Sequence, residues 1–214
     1  WRGVSWAVLS YVKLEGLSMK ETLERICLLQ PSYSHSNTPE MQERGFLIRK
    51  TLCDQIRSHI PRVQNVFDEV FDDLAVEGSD GIGRKTEAPW VRLYSKAMSP
   101  NAREGFYVVI HFSADGSAVF FTVGCGSTRW NGEDLRPISD AELERRTSWA
   151  REVINQRWKT LEPFVDSIEL GAKAPLPKTF EKATALAKRV PFADIKKIDL
   201  EALLLLAAER LGQI

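Results

Sequence analysis

The run Gly78-Ser79-Asp80-Gly81-Ile82-Gly83-Arg84-Lys85-Thr86 is the stretch of this chain that comes nearest to a phosphate-binding motif. A P-loop cradles phosphates with successive backbone N–H groups, its lysine reaches the terminal phosphates, and it lies between a strand and a helix. Here Arg84 stands where the motif has lysine, and Lys85 and Thr86 each come one position late. The segment before the loop reads as helix, and Pro89-Trp90-Val91 after it reads as strand, the reverse of what the motif requires. Nucleotide triphosphate chemistry is not expected.

The other candidates for catalysis fail on spacing. His35, His59 and His111 are the only histidines, and none lies within metal-ligand spacing of another or of a cysteine. Cys27, Cys53 and Cys125 are odd in number with no CxxC pair, which argues against a disulfide framework or a zinc ribbon and fits a reducing cytoplasm. Restriction-type metal nucleases need an acid followed by Glu-x-Lys or Asp-x-Lys; Asp194-Ile195-Lys196 is the sole Asp-x-Lys, in a loop before a helix. No GxSxG elbow is present. Cys125 has no base nearer than His111, and a buried thiol at a strand end is the simpler reading. We expect no catalytic residue, no metal and no cofactor.

The elements around these residues follow from pattern. Ser18 with Glu21 is a capping box, opening a helix over about 19–29, and Thr38-Pro39 opens a second with Met41, Ile48, Leu52 and Ile56 on one side, ended by Pro61. Val63, Val66, Phe67, Val70, Phe71 and Leu74 predict a third, acidic on its outer face. Strands are predicted over 88–94, 105–112 and 118–124, the last two joined by a hairpin turn at 113–117. Ser139 with Glu142 caps a long helix that stops before Pro163; a short strand at 167–170 and helices over 180–189 and 199–211 close the chain. The fold class is α+β, a small antiparallel or mixed sheet with a hairpin, flanked by N- and C-terminal helices. Residues 18–214 read as a single domain, with residues 1–17 an N-terminal segment left unassigned.

Composition is that of a globular protein, with 43% hydrophobic and 27% charged residues. The longest apolar runs, Leu203 to Ala208 and the interrupted Val4 to Val12, are far too short to span a bilayer, so a soluble, cytoplasmic chain is expected. It begins at Trp1 and reads as a piece of a longer protein. Formal net charge is zero, but its distribution is uneven: 63–80 holds six acids and no base, whereas 81–103 holds five bases against Glu87 alone. Arg84, Lys85, Arg92, Lys96 and Arg103 predict one basic face.

The order of motifs from Gly78 onward carries a resemblance. A Gly-x-Gly loop is followed by Ala-Pro-Trp-Val, then Gly-Phe-Tyr-Val-Val-Ile-His-Phe with its hairpin, then Val-Phe-Phe-Thr-Val-Gly. This resembles the N-terminal DNA-binding domain of McrB-type modification-dependent restriction proteins, most strongly over about fifty residues. The resemblance implies an α+β module, not an enzyme, that binds duplex DNA and swings a modified cytosine, 5-methylcytosine or 5-hydroxymethylcytosine, into an aromatic pocket for an antiviral defence system. Catalysis would belong to a nuclease or AAA+ GTPase effector domain or subunit. It assigns the pocket to Trp90, Tyr107 and His111, with Ile82 between the loop glycines. Two positions depart from the family pattern: Ile82 stands where an aromatic can occur, and His111 where an aliphatic residue is more usual.

Physical reasoning gives those residues compatible roles. Alternation sets Tyr107, Val109 and His111 on one face of their strand and Phe106, Val108, Ile110 and Phe112 on the other, so the first face is free to line a cleft. Extracting a base costs a few kcal/mol, and stacking returns roughly 1–3 kcal/mol per base, so Trp90 and Tyr107 together offset most of it. Backbone contacts would come from the loop, Ser79, Gly81, Gly83, Arg84 and Lys85, with Arg92 and Lys96 beside it. Burying one methyl is worth about 0.8 kcal/mol, roughly fourfold, so a polar His111 would favour a hydroxymethyl group instead. The rival reading is a protein-interaction domain, with the acidic helix from Val63 to Leu74 as its contact surface.

Overall fold

The structure, a computed structural model, describes residues 16–67 and 71–214. Expectations falling on residues 1–15, Val4 to Val12 among them, and on Val70 lie outside the described residues. The N-terminal helices form where their caps predict. In α1 (Met19–Leu29) the Ser18 hydroxyl accepts from the Glu21 N–H and the Glu21 carboxylate accepts from the Ser18 N–H at 2.8 Å. Leu23, Ile26 and Cys27 are thereby turned inward and fully buried. Thr38 caps α2 (Pro39–Phe46), which runs through a wide π-helical turn, Leu47–Leu52, into α3 (Cys53–Ser58). A π turn loosens the regular bonding ladder; here the Cys53 thiol donates to the Ile48 carbonyl at 3.2 Å.

Pro61 does not end that helix. α3 stops at Ser58, and Pro61 lies in the first turn of α4 (Ile60–Gln64), where its missing N–H costs nothing. The third helix predicted over 63–74 is corrected as well: α4 ends at Gln64, and Leu74 opens strand β1 (Leu74–Ser79). The Asp73 carboxylate accepts from the Ala97 N–H at 2.6 Å and the Ser95 hydroxyl at 2.8 Å, which pins the chain beside β2 (Trp90–Ser95). Strand pairing from Leu74↔Ser95 to Ser79↔Trp90 then prevails over local helical periodicity. Asp72 and Asp73 therefore precede a strand, and among the described residues of 65–73 none is helical.

The main sheet has the order β1-β2-β3-β4-β7, antiparallel at every pairing, with β3 (Phe106–Phe112), β4 (Ala118–Cys125) and β7 (Thr184–Pro191). The β3–β4 hairpin turns at Gly116, whose φ of +74° and close approach to the Cys27 carbonyl exclude a side chain. A second, two-stranded sheet joins β5 (Thr128–Trp130) to β6 (Leu135–Pro137). Ser139 caps α5 (Asp140–Arg157). The helix predicted over 180–189 is replaced by α6 (Pro175–Lys182) followed by β7. Ala183, Ala185 and Ala187 have the propensity for helix, but the backbone of this segment pairs with β4. Residues 167–170 form no strand; instead Val165 bridges Ala187 on the outer edge of β7, with bonds of 2.8 and 2.7 Å.

One face of the sheet is the core. Val76, Val91, Leu93, Val108, Ile110, Phe112, Phe121 and Val123 are buried with side chains of α1, the π turn, α3 and the closing helix α7 (Leu200–Leu211). The Asp199 carboxylate caps α7 by accepting from the Ala202 N–H at 2.9 Å. With all these helices on one side, the opposite face of β2, β3 and β4 is left to other uses. Among the described residues no helix is long and apolar enough to cross a membrane.

Candidate binding cavity on the open face of the sheet

The open face floors a cavity of about 830 Å³, within the range of roughly 300–1,000 Å³ typical of small-molecule sites. Alternation along β3 presents Tyr107, Val109 and His111 to it, and β2 adds Trp90 and Arg92. Its walls are the β1–β2 loop, the β5–β6 hairpin and the N-terminal part of α6. Of the predicted pocket and loop residues, Ser79, Gly81, Ile82, Arg84, Lys85, Trp90, Arg92, Tyr107 and His111 all line this one space. Gly83 and Lys96 do not; Lys96 follows the far end of β2.

The register separates the aromatics. Trp90 is the direct cross-strand neighbour of His111, so a ring entering from the cavity can touch both. Tyr107 lies four residues from His111, about 13 Å along the strand. Its hydroxyl donates to the Ala102 carbonyl at 2.7 Å, and burial pushes its phenol up from the ordinary value. Trp90 and Tyr107, expected to act together, therefore do not adjoin each other, whereas Trp90 and His111 do. Phe180 from α6 stacks on the His111 ring at 5.7 Å and 23°. No spacing rule links Phe180 to β3; the contact arises only because the chain after α6 returns as β7.

His111 is 6% exposed, and burial pushes its imidazole down to about 3, so the ring is neutral at ordinary pH. Its Nδ1 has no hydrogen-bond partner among the described residues. Cys125, at the cavity end of β4, is displaced along the sheet from His111, which faces Phe120. Burial pushes the Cys125 thiol up to about 11, the opposite of what a nucleophile needs. Asp194 is bonded by Lys197 and Lys196 pairs with Glu24, so the Asp-x-Lys side chains are engaged with different partners.

Arg92 does not serve as a free phosphate contact. It is 1% exposed; its guanidinium grips the Glu77 carboxylate at 2.7 and 2.9 Å, donates to Ser99, and lies 3.7 Å from the Tyr94 ring centroid. Glu77 and Arg92 are cross-strand neighbours, so the bond ties β1 to β2 beneath the cavity. Lys85 is likewise committed, its ammonium 2.5 Å from Asp80. Arg84 is exposed, leaving it as the loop's available cation.

The base of the β1–β2 loop is clamped against the N-terminal helices by contacts that no sequence spacing predicts. Asp80, 1% exposed, takes Lys85 and Arg49, and Gly45 allows this approach because a Cβ there would lie 2.5 Å from the carboxylate. Buried Arg44 donates to Gln30 at 2.7 Å and to the Thr86 carbonyl at 2.8 Å; Gln30 in turn donates to the Glu87 carbonyl, and Tyr33 to that of Lys85. At the tip, Gly81 and Gly83 have φ of +110° and +73°, and Ile82 projects with 91% of its surface exposed. A rigid base thus holds out an apolar tip beside the aromatic floor.

The model of the family described as MrcB-like, N-terminal domain matches residues 29–204. No curated protein and no solved structure matches the chain.

Proposed function

Because the chain belongs to the MrcB-like N-terminal domain family, we propose that it is a DNA-binding module of a restriction system, recognising a modified cytosine flipped from the duplex. The observation that carries this reading is the cavity floor, where Trp90 and His111 stand side by side with Phe180 against the histidine. Flat rings at the end of a partly enclosed space return by stacking what unpairing a base costs. The tip of the glycine loop, with Ile82 and Arg84, stands at the mouth where the duplex would lie. Cleavage and nucleotide hydrolysis belong to a separate effector domain or subunit, and the module itself needs no cofactor.

His111 bears on which modification is accepted. A neutral imidazole in a dry site hydrogen-bonds a hydroxymethyl group, whereas a methyl gains only about 0.8 kcal/mol from burial. We assign 5-hydroxymethylcytosine as the preferred base on that ground. The test is binding to one duplex carrying cytosine, 5-methylcytosine, 5-hydroxymethylcytosine or N6-methyladenine at a single position, at near-physiological salt. Tighter binding to a modified cytosine, lost in Trp90→Ala without unfolding, is the expected result. Equal binding of the methyl and hydroxymethyl duplexes, unchanged by His111→Ala, would remove the assignment to hydroxymethylcytosine alone. Flat, weak binding to all four would favour a protein-interaction domain.

A further inference from the structure

We infer that the β5–β6 hairpin is a wedge that enters the duplex beside the extracted base, an inference that rests on the reading above. Among the described residues eight large apolar side chains are exposed, and four of them, Ile82, Trp130, Leu135 and Leu176, line the one cavity. Such concentration marks a contact surface rather than chance exposure. Two of the four belong to this hairpin, where Trp130 is paired directly with Leu135. They are 52% and 44% exposed, so the protein itself leaves much of the indole uncovered.

The opposite side of the ribbon is basic. Arg129 is paired directly with Arg136, and both border a separate cavity of about 290 Å³. Like charges placed opposite each other oppose strand pairing unless an anion lies between them. The Arg129 side chain has no ion pair or hydrogen bond among the described residues, and the Arg136 guanidinium reaches only the exposed Asp134 at 3.3 Å. Glu142, the acid on that cavity's wall, is already held by Arg145 and Arg146. The turn is fixed from within: the Asn131 carboxamide oxygen accepts from the Glu133 and Asp134 N–H groups at 2.9 and 2.8 Å. A short, stiff ribbon with an indole on one side and two guanidinium groups on the other fits DNA, stacking against bases while gripping phosphates. Trp130 takes the place of the departed base, and Arg129 and Arg136 bind the phosphates flanking it.

The test compares the wild type, Trp130→Ala, Trp130→Phe and Arg129→Gln/Arg136→Gln on two duplexes with the same modified cytosine. In one the cytosine is paired with guanine; in the other it faces an abasic site and needs little unstacking. Trp130→Ala is expected to weaken binding to the paired duplex about tenfold, and to the abasic duplex less than about threefold. Trp130→Phe restores most of the difference, and melting temperatures stay unchanged. The double arginine variant is expected to flatten the dependence of log K on log salt by about 2. Wild-type discrimination that survives intact in Trp130→Ala would overturn the wedge alone. A wild type with no preference for modified over unmodified cytosine would overturn the proposed function, and the wedge with it.

Discussion

His111 makes a measurable thermodynamic signature. Its folded value of about 3 lies below the ordinary 6.5, so below pH 6.5 the unfolded chain binds a proton that the folded chain refuses. Stability is therefore complete above about pH 6.5 and falls as the pH drops toward 3, by at most about 1.4 kcal/mol per pH unit. His59, also held low by burial, adds a contribution of the same sign, so the variant His111→Leu is needed to isolate the cavity residue. Urea unfolding at pH 7 and pH 5 should show the wild type losing up to about 2 kcal/mol more than His111→Leu. Equal losses would mean that the imidazole titrates normally. At this scale the sequence was informative where alternation rules: Tyr107, Val109 and His111 share the predicted cleft face. It did not place Phe180 against His111 and misjudged Arg92, because a side chain's partners across a sheet depend on a register that only the folded pairing fixes.

The element on which the site most depends is the β1–β2 loop. Its conformation is set by charged groups buried against the N-terminal helices, chiefly Asp80 and Arg44. Asp80→Ala should cost about 1–3 kcal/mol in chemical denaturation, chiefly by leaving the largely buried Lys85 ammonium without its carboxylate, since half-exposed Arg49 keeps its water. Arg44→Lys should not rescue Arg44→Ala, since an ammonium cannot reproduce the forked donation to Gln30 and Thr86. A fully stable Asp80→Ala protein would show that the loop is not clamped in this way. Capping signals told true for α1, α2 and α5 because a cap is local chemistry. The failures were β1 and β7, edge strands of the sheet whose local patterns suit helices and whose identity comes from the neighbouring strand.

For the molecule as a whole, zero net charge means that DNA affinity must come from a few placed cations rather than a general field. Five bases between 81 and 103 predicted one basic face; the structure buries Arg92, ties Lys85, and sets Lys96 apart from the cavity. Arg84 and Arg103 border the main cavity and Arg129 and Arg136 the hairpin. Four phosphate contacts predict a slope of log K against log salt of about −3.6, measurable by salt titration; a slope near zero would exclude them. The sheet with helices on one side and a cavity on the other was legible in outline from the succession of helical and β patterns, but the layer that closes the cavity was not. The β5–β6 hairpin and α6 close it, and neither has a periodicity that marks it as a wall.

The most direct test of the account follows the base itself. A duplex bearing 5-hydroxymethylcytosine with a carbon-13 label in the hydroxymethyl group reports by NMR where that group resides once the chain is bound. The account predicts a hydroxymethyl resonance shifted by aromatic rings, with nuclear Overhauser contacts to Trp90, His111 or Phe180. A stable complex in which the hydroxymethyl group keeps its stacked-duplex resonance, with no contact to these residues, would contradict it.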